Sequence, residues 1–152
     1  MEPLPMTDTP LAHLLKLGPD CIVASAAVAR NTGGEGGALI KFARDKQPPL
    51  SLLFISGVVE SLGDALRAFA KANGRMAEDP SLALRFSLKR PRVEESDWAV
   101  RDDDSRVVDT IRALAATNAL ALELVMQDRS VRHLALPAGV TRLLTGELRT
   151  TL

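Results

Sequence analysis

Two stretches of strict alternation constrain this chain most. From Leu82 to Lys89, Leu82, Leu84, Phe86 and Leu88 alternate with Ala83, Arg85, Ser87 and Lys89, and Leu120, Leu122, Leu124 and Met126 repeat the pattern. Successive strand side chains point to opposite faces, so each stretch asks for a strand with one dry and one wet face. Strands buried between two helical layers are apolar on both faces, so half-wet strands predict a mixed or largely antiparallel sheet. Asp128-Arg129-Ser130 then turns the chain and Val131 to Leu136 returns as the second arm of a hairpin.

Helical signals fall between the strands. Thr9-Pro10, followed by Leu11, Leu14 and Leu15 and stopped by Gly18-Pro19, has the cap, stripe and terminator of a short helix. Ser61 with Asp64 reads as a capping box for a helix carrying Leu62, Ala65, Leu66, Phe69 and Ala70 up to Gly74. Asp104 or Ser105 is positioned to cap a helix with the stripe Val107, Val108, Ile111, Leu114 and Ala115, ended by Asn118. A last helix starts near Ala138 and carries Val140, Leu143, Leu144 and Leu148.

Residues 20–46 are ambiguous. Cys21 to Ala29 fits a buried strand or a helix, its alanines favouring helix, and two helices, a hairpin or a strand-helix pair all remain open. Gly36 to Asp45 reads as a strand, and Gln47-Pro48-Pro49 breaks the chain before a strand at Leu50–Ile55. Pro91 to Asp104 is a long polar loop, with room for a short edge strand at Trp98–Arg101. The expected architecture is a flexible arm over residues 1–8 and a single α+β domain over 9–152. It has about four to six strands and four or five helices, with no internal repeat.

Composition narrows the chemistry. With 152 residues, 24 Leu and 21 Ala against 4 Phe, 1 Trp and no Tyr, the core is aliphatic, and a platform stacking several bases or sugars on rings cannot be assembled. One Cys excludes internal disulfides and four-cysteine zinc sites. Lys and Arg number 19, as do Asp and Glu, which disfavours a strong global field for polyanions. Met1 to Pro10 lacks a basic stretch leading into an apolar one, and no run nears the ~18 apolar residues of a membrane span, so the chain reads as cytoplasmic.

Catalytic constellations fare poorly. Asn31-Thr32-Gly33-Gly34-Glu35-Gly36-Gly37 invites a phosphate, but Ala38-Leu39-Ile40 stands where a Walker loop needs Gly-Lys-Ser/Thr, and Glu35 repels an anion. Cys21, His13 and His133 lack a local nucleophile signature. Neither a serine elbow nor a His-Glu-x-x-His helix occurs, and no cofactor motif is present.

The remaining feature is charge segregation. Arg85, Lys89, Arg90 and Arg92 form a basic block, and Glu94, Glu95, Asp97, Asp102, Asp103 and Asp104 an acidic one set against Arg101. Opposite blocks joined head to tail are self-complementary under two-fold symmetry. The expectation is therefore a non-catalytic interaction or regulatory domain that self-associates, or binds a protein partner, through residues 85–104 and the wet sheet face, with Arg132 on the same surface. A second expectation is a basic face formed by Arg85, Lys89, Arg90, Arg92 and Arg132 that holds nucleic-acid backbone without stacking. A third is a metal-dependent hydrolase gathering Glu60, Asp64 and the aspartates.

Overall fold

The computed structural model describes residues 23–32, 36–44, 47–73, 91–115 and 119–151. Within them six strands form one sheet in sequence order: β1 (Val23–Arg30), β2 (Ala38–Arg44), β3 (Gln47–Phe54), β4 (Val107–Ala115), β5 (Ala119–Met126) and β6 (Val131–Pro137). Helix α1 (Ser56–Asn73) follows β3, a 3-10 helix (Glu95–Asp102) precedes β4, and helix α2 (Ala138–Thr151) follows β6. All neighbouring strands are antiparallel except β3 and β4, which run parallel at Leu53↔Val107 and Phe54↔Val108. The α+β class and mixed sheet agree with the alternation. The described residues contain three helices, where the sequence suggested four or five.

Two segments with helical spacing are strands, for one shared reason. In β1 the pairing slips between Val23 and Ser25, and in β4 between Val108 and Thr110. A bulge adds one residue and shifts the period, so Val23, Ala26 and Val28, and likewise Val108, Ile111 and Ala113, reach the same core. Their spacing of three then two imitates a helix stripe. Three further corrections are smaller. Helix α1 begins at Ser56, so Ser61 lies inside it and donates to the Gly57 carbonyl instead of capping. The segment read as a loop with an edge strand at Trp98–Arg101 is the 3-10 helix. Strand β3 includes Pro48 and Pro49, which is permitted because β4 pairs only with its far end. The strand expected at 82–89, the helix at Thr9–Gly18 and the arm at 1–8 lie outside the described residues.

The architecture is also a duplication that the sequence conceals. The order β-β-β-α occurs twice, and the register repeats pair for pair. Lys41↔Ser51, Ile40↔Leu52 and Ala38↔Phe54 become Glu123↔His133, Leu122↔Leu134 and Leu120↔Leu136, each partner moved on by 82 residues. The bulges correspond as well: Val23 and Ser25 facing Arg44 and Ala43 match Val108 and Thr110 facing Met126 and Val125. Strand β1 is thus displaced by 85 residues onto β4. The extra three residues sit in the longer β1–β2 connection. The helices keep the pattern, with Gly57, Val58, Leu62, Leu66 and Arg67 answered by Gly139, Val140, Leu144, Leu148 and Arg149. Packing completes the symmetry. Helix α1 lies on β4, the first strand of the second half, and α2 lies on β1, the first strand of the first half; the helices touch, and the edge strands β1 and β6 come alongside each other.

One apolar core joins the halves. Inward side chains of all six strands meet Val58, Leu62, Leu66 and Phe69 of α1 and Val140 and Leu144 of α2, and Phe42 and Phe54 cross edge to face at 6.2 Å. On the opposite face Leu39, Leu53 and Val107 form a smaller cluster with Val100, Val93 and Trp98. Gly37, at φ +91°, makes the return into β2 possible, because a Cβ there would lie 2.1 Å from the Phe54 carbonyl oxygen. Among the described residues no helix is long and apolar enough to cross a membrane.

Candidate functional site

The acidic part of the charged segment is built onto the outer sheet face. Alternation along β2 and β3 turns Leu39, Lys41, Ser51 and Leu53 away from the helices. The 3-10 helix lies across this row, with Trp98 and Val100 on the leucines and Asp97 over the polar pair. One Asp97 carboxylate oxygen accepts from Lys41 Nζ at 3.0 Å and from the Glu94 backbone N–H at 2.7 Å, and the other accepts from Ser51 Oγ at 2.9 Å. Burial pushes the Asp97 carboxyl up, but the Glu94 N–H, the Lys41 ammonium and the Ser51 hydroxyl together outweigh it and hold its pKa below the ordinary 3.8. Eight residues make a long 3-10 helix, a geometry uncommon beyond three or four residues, and these outside contacts hold it in place.

Both ends of the segment are fixed as well. Lys41 Nζ also donates to the Arg92 carbonyl at 2.9 Å. Arg101 lies 4.6 Å from the Trp98 ring centroid and donates to Asn31 Oδ1 at 2.6 Å, while Asn31 Nδ2 donates to the Gly36 carbonyl at 2.7 Å. The segment is thereby tied to the β1–β2 connection.

The expected interaction residues separate into groups. Arg85, Lys89 and Arg90 lie outside the described residues. Arg92, Asp102, Asp103 and Asp104 are exposed at the rim of the segment. Asp103 is occupied locally: the Ser105 hydroxyl and backbone N–H donate to it at 2.6 and 3.0 Å and lower its pKa. Asp102 and Asp104 have no side-chain partner among the described residues. Arg132 is half-buried at the start of β6, on the side of the sheet that carries Leu134 and Leu136, and donates to the Ser105 carbonyl at 3.3 Å. Burial lowers its pKa first, and Arg106 and Arg44 nearby lower it further. Sequence inspection missed Lys41, Ser51 and Asn31, which carry the anchoring. A cation in the middle of the apolar run Leu39-Ile40-Lys41-Phe42 is the signal that marks an outward position needing a partner.

Other chemistry is thinly represented. Among the described residues no group of three or more His, Cys, Asp or Glu side chains is placed to hold a metal ion. Glu60 lines an open cavity of about 530 Å³ between α1 and α2, with Asp64, Arg67, Thr145, Leu148 and Arg149. Asp64 is paired there with Arg67. His133 meets Glu123 Oε1 at 3.2 Å, and Arg112 meets Glu123 Oε2 at 3.3 Å, as a polar row across three strands. Comparison with protein-family models, curated proteins and solved structures finds no match for this chain.

Proposed function

We propose that the protein is a non-catalytic interaction domain that self-associates through the charged segment Arg92–Asp104 and the sheet face beside it. The observation that supports this most is the anchoring of Asp97 to Lys41 and Ser51, which holds a charged segment in one conformation and leaves Arg92, Asp102 and Asp104 facing outwards. A flexible charged loop must lose conformational entropy when it binds; one already fixed has met that cost during folding. Two-fold symmetry sets Arg92 of one copy against Asp102 or Asp104 of another, and such contacts govern specificity and association rate more than affinity.

Light scattering on the eluting protein at low and high salt tests the reading. The expected result is the mass of two copies at low salt and of one at high salt, with Arg92→Glu shifting the low-salt protein towards one copy and Arg92→Glu combined with Asp102→Arg restoring two. A single copy at both salt concentrations rejects it.

A further inference from the structure

Matching the two halves shows where their chemistry departs. Phe42↔Leu50 becomes Leu124↔Arg132, and Val23↔Arg44 becomes Val108↔Met126, so Arg132 stands where the first half has Leu50 and Arg44 where the second has Met126. Leu50 and Met126 are core residues, 5% and 0% exposed. Their arginine counterparts keep the same side of the sheet: Arg132 shares a face with Leu134 and Leu136, and Arg44 lies opposite the buried Val23. An aliphatic side chain suits either place, because drawing a guanidinium out of water costs free energy that new partners must offset. Folding alone therefore does not account for these two cations.

A third arginine joins them. Arg132 Nε donates to the Ser105 carbonyl at 3.3 Å, which brings its guanidinium beside the next residue, Arg106. Arg44 stands at the end of β2, where its Nε and Nη2 donate to the Pro48 carbonyl at 3.1 and 2.8 Å. Burial first, then the charges of Arg106 and Arg44, hold the Arg132 pKa below its ordinary 12.5, so the three guanidinium groups lie in one another's field. Two carboxylates reach the same field, Asp103 and Asp128, and each already accepts the hydroxyl and backbone N–H of a serine, Ser105 and Ser130. Three cations against two anions leave positive charge in excess. Among the described residues, nothing accepts from the terminal nitrogens of Arg132. A carboxylate is filled by one guanidinium fork, whereas a phosphoryl group has three acceptor oxygens and up to two charges to divide among several.

We propose that Arg44, Arg106 and Arg132 form a binding site for the phosphoryl group of a small anion, at the strand ends where β2 stops and β4 and β6 begin. The site uses none of Arg92, Asp102 and Asp104 and does not rest on self-association.

Pyrophosphate titrated into the isotope-enriched full chain at constant ionic strength, followed through backbone amide and arginine Nε–H resonances, tests this. The expected result is saturable shifts centred on Arg44, Ser105, Arg106 and Arg132, with inorganic phosphate moving the same signals. Arg132→Leu and Arg44→Met install the residues that the counterpart positions carry. Each is expected to weaken pyrophosphate binding at least about tenfold while melting, without pyrophosphate, no lower than the wild type. Arg149→Gln, which removes a cation elsewhere, leaves binding unchanged. Absence of a saturable shift in the wild-type protein, or equal shifts from chloride at matched ionic strength, overturns the proposal without recourse to any variant. Binding retained by both arginine variants overturns it, and so does a lower melting temperature in both, which assigns the arginines to folding. A single-stranded oligonucleotide that binds through the same arginines where pyrophosphate does not gives the site to nucleic-acid backbone and overturns it equally.

Discussion

At the scale of single residues, Asp97 and Gly37 carry the sharpest consequences. Asp97→Asn removes the charge from a half-buried bridge and leaves the Lys41 ammonium, 14% exposed, without its counterion. It is expected to cost about 1–3 kcal/mol in a denaturant titration at neutral pH. The lowered pKa fixes the pH dependence. The carboxylate's contribution is complete above the unfolded-state value near 3.8 and is lost as pH falls through the lower folded-state value, so the gap between wild type and Asp97→Asn narrows only in that acidic window. A gap that instead narrows at alkaline pH assigns it to another group. The two adjacent glycines separate conformation from space. Gly37→Ala drives a methyl group into the Phe54 carbonyl and is expected to cost more than about 2 kcal/mol. Gly36→Ala, where a Cβ meets only Ser56 at 3.8 Å, costs about 1 kcal/mol for its positive φ alone. Thermal melts of the two variants check the order. The sequence displayed the glycines but not their difference, since the carbonyl that excludes a side chain at Gly37 is 17 residues away on another strand.

At the scale of elements, legibility followed local regularity. The hairpin of β5 and β6 and the helix from Ala138 were readable because their periods are unbroken. β1 and β4 were not, because a bulge moves an apolar residue from period two to a spacing that a helix also gives. The 3-10 helix was hidden for a different reason: its stability comes from Lys41 and Ser51, some 50 positions earlier, so the local sequence shows only polar residues around Trp98. The helices give the quantitative test of equivalence. Leu62 and Leu144 occupy matching places and are both fully buried. Leu62→Ala and Leu144→Ala are each expected to cost about 2–5 kcal/mol, and to agree within about 1 kcal/mol if the two sites are lined alike. A large cost at one and a negligible cost at the other, read from chemical denaturation, would show that the halves share topology without sharing packing.

At the scale of the molecule, the two β-β-β-α halves complete each other, since each helix lies on the first strand of the opposite half. The candidate site follows from this frame, as the 3-10 helix and its charged rim belong to the link between the halves. The pairing of Arg92 with the aspartates was suggested by charge alone, whereas its fixed platform required the fold. In the strands the symmetry was illegible because matching positions share orientation more often than identity, as Lys41 with Glu123 and Phe54 with Leu136 show, while the helices repeat residues such as Leu62 with Leu144 and Arg67 with Arg149. Its most direct test is a circular permutant that starts at Pro91, runs to Leu152, continues at Met1 and ends at Arg90. Residues 1–22 then link α2 to β1, in the way the natural chain links α1 to β4. The expected result is a far-ultraviolet circular dichroism spectrum like that of the natural order, with a single cooperative melt; a permutant that is unfolded, or that melts in two separate steps, contradicts the closed pair of halves.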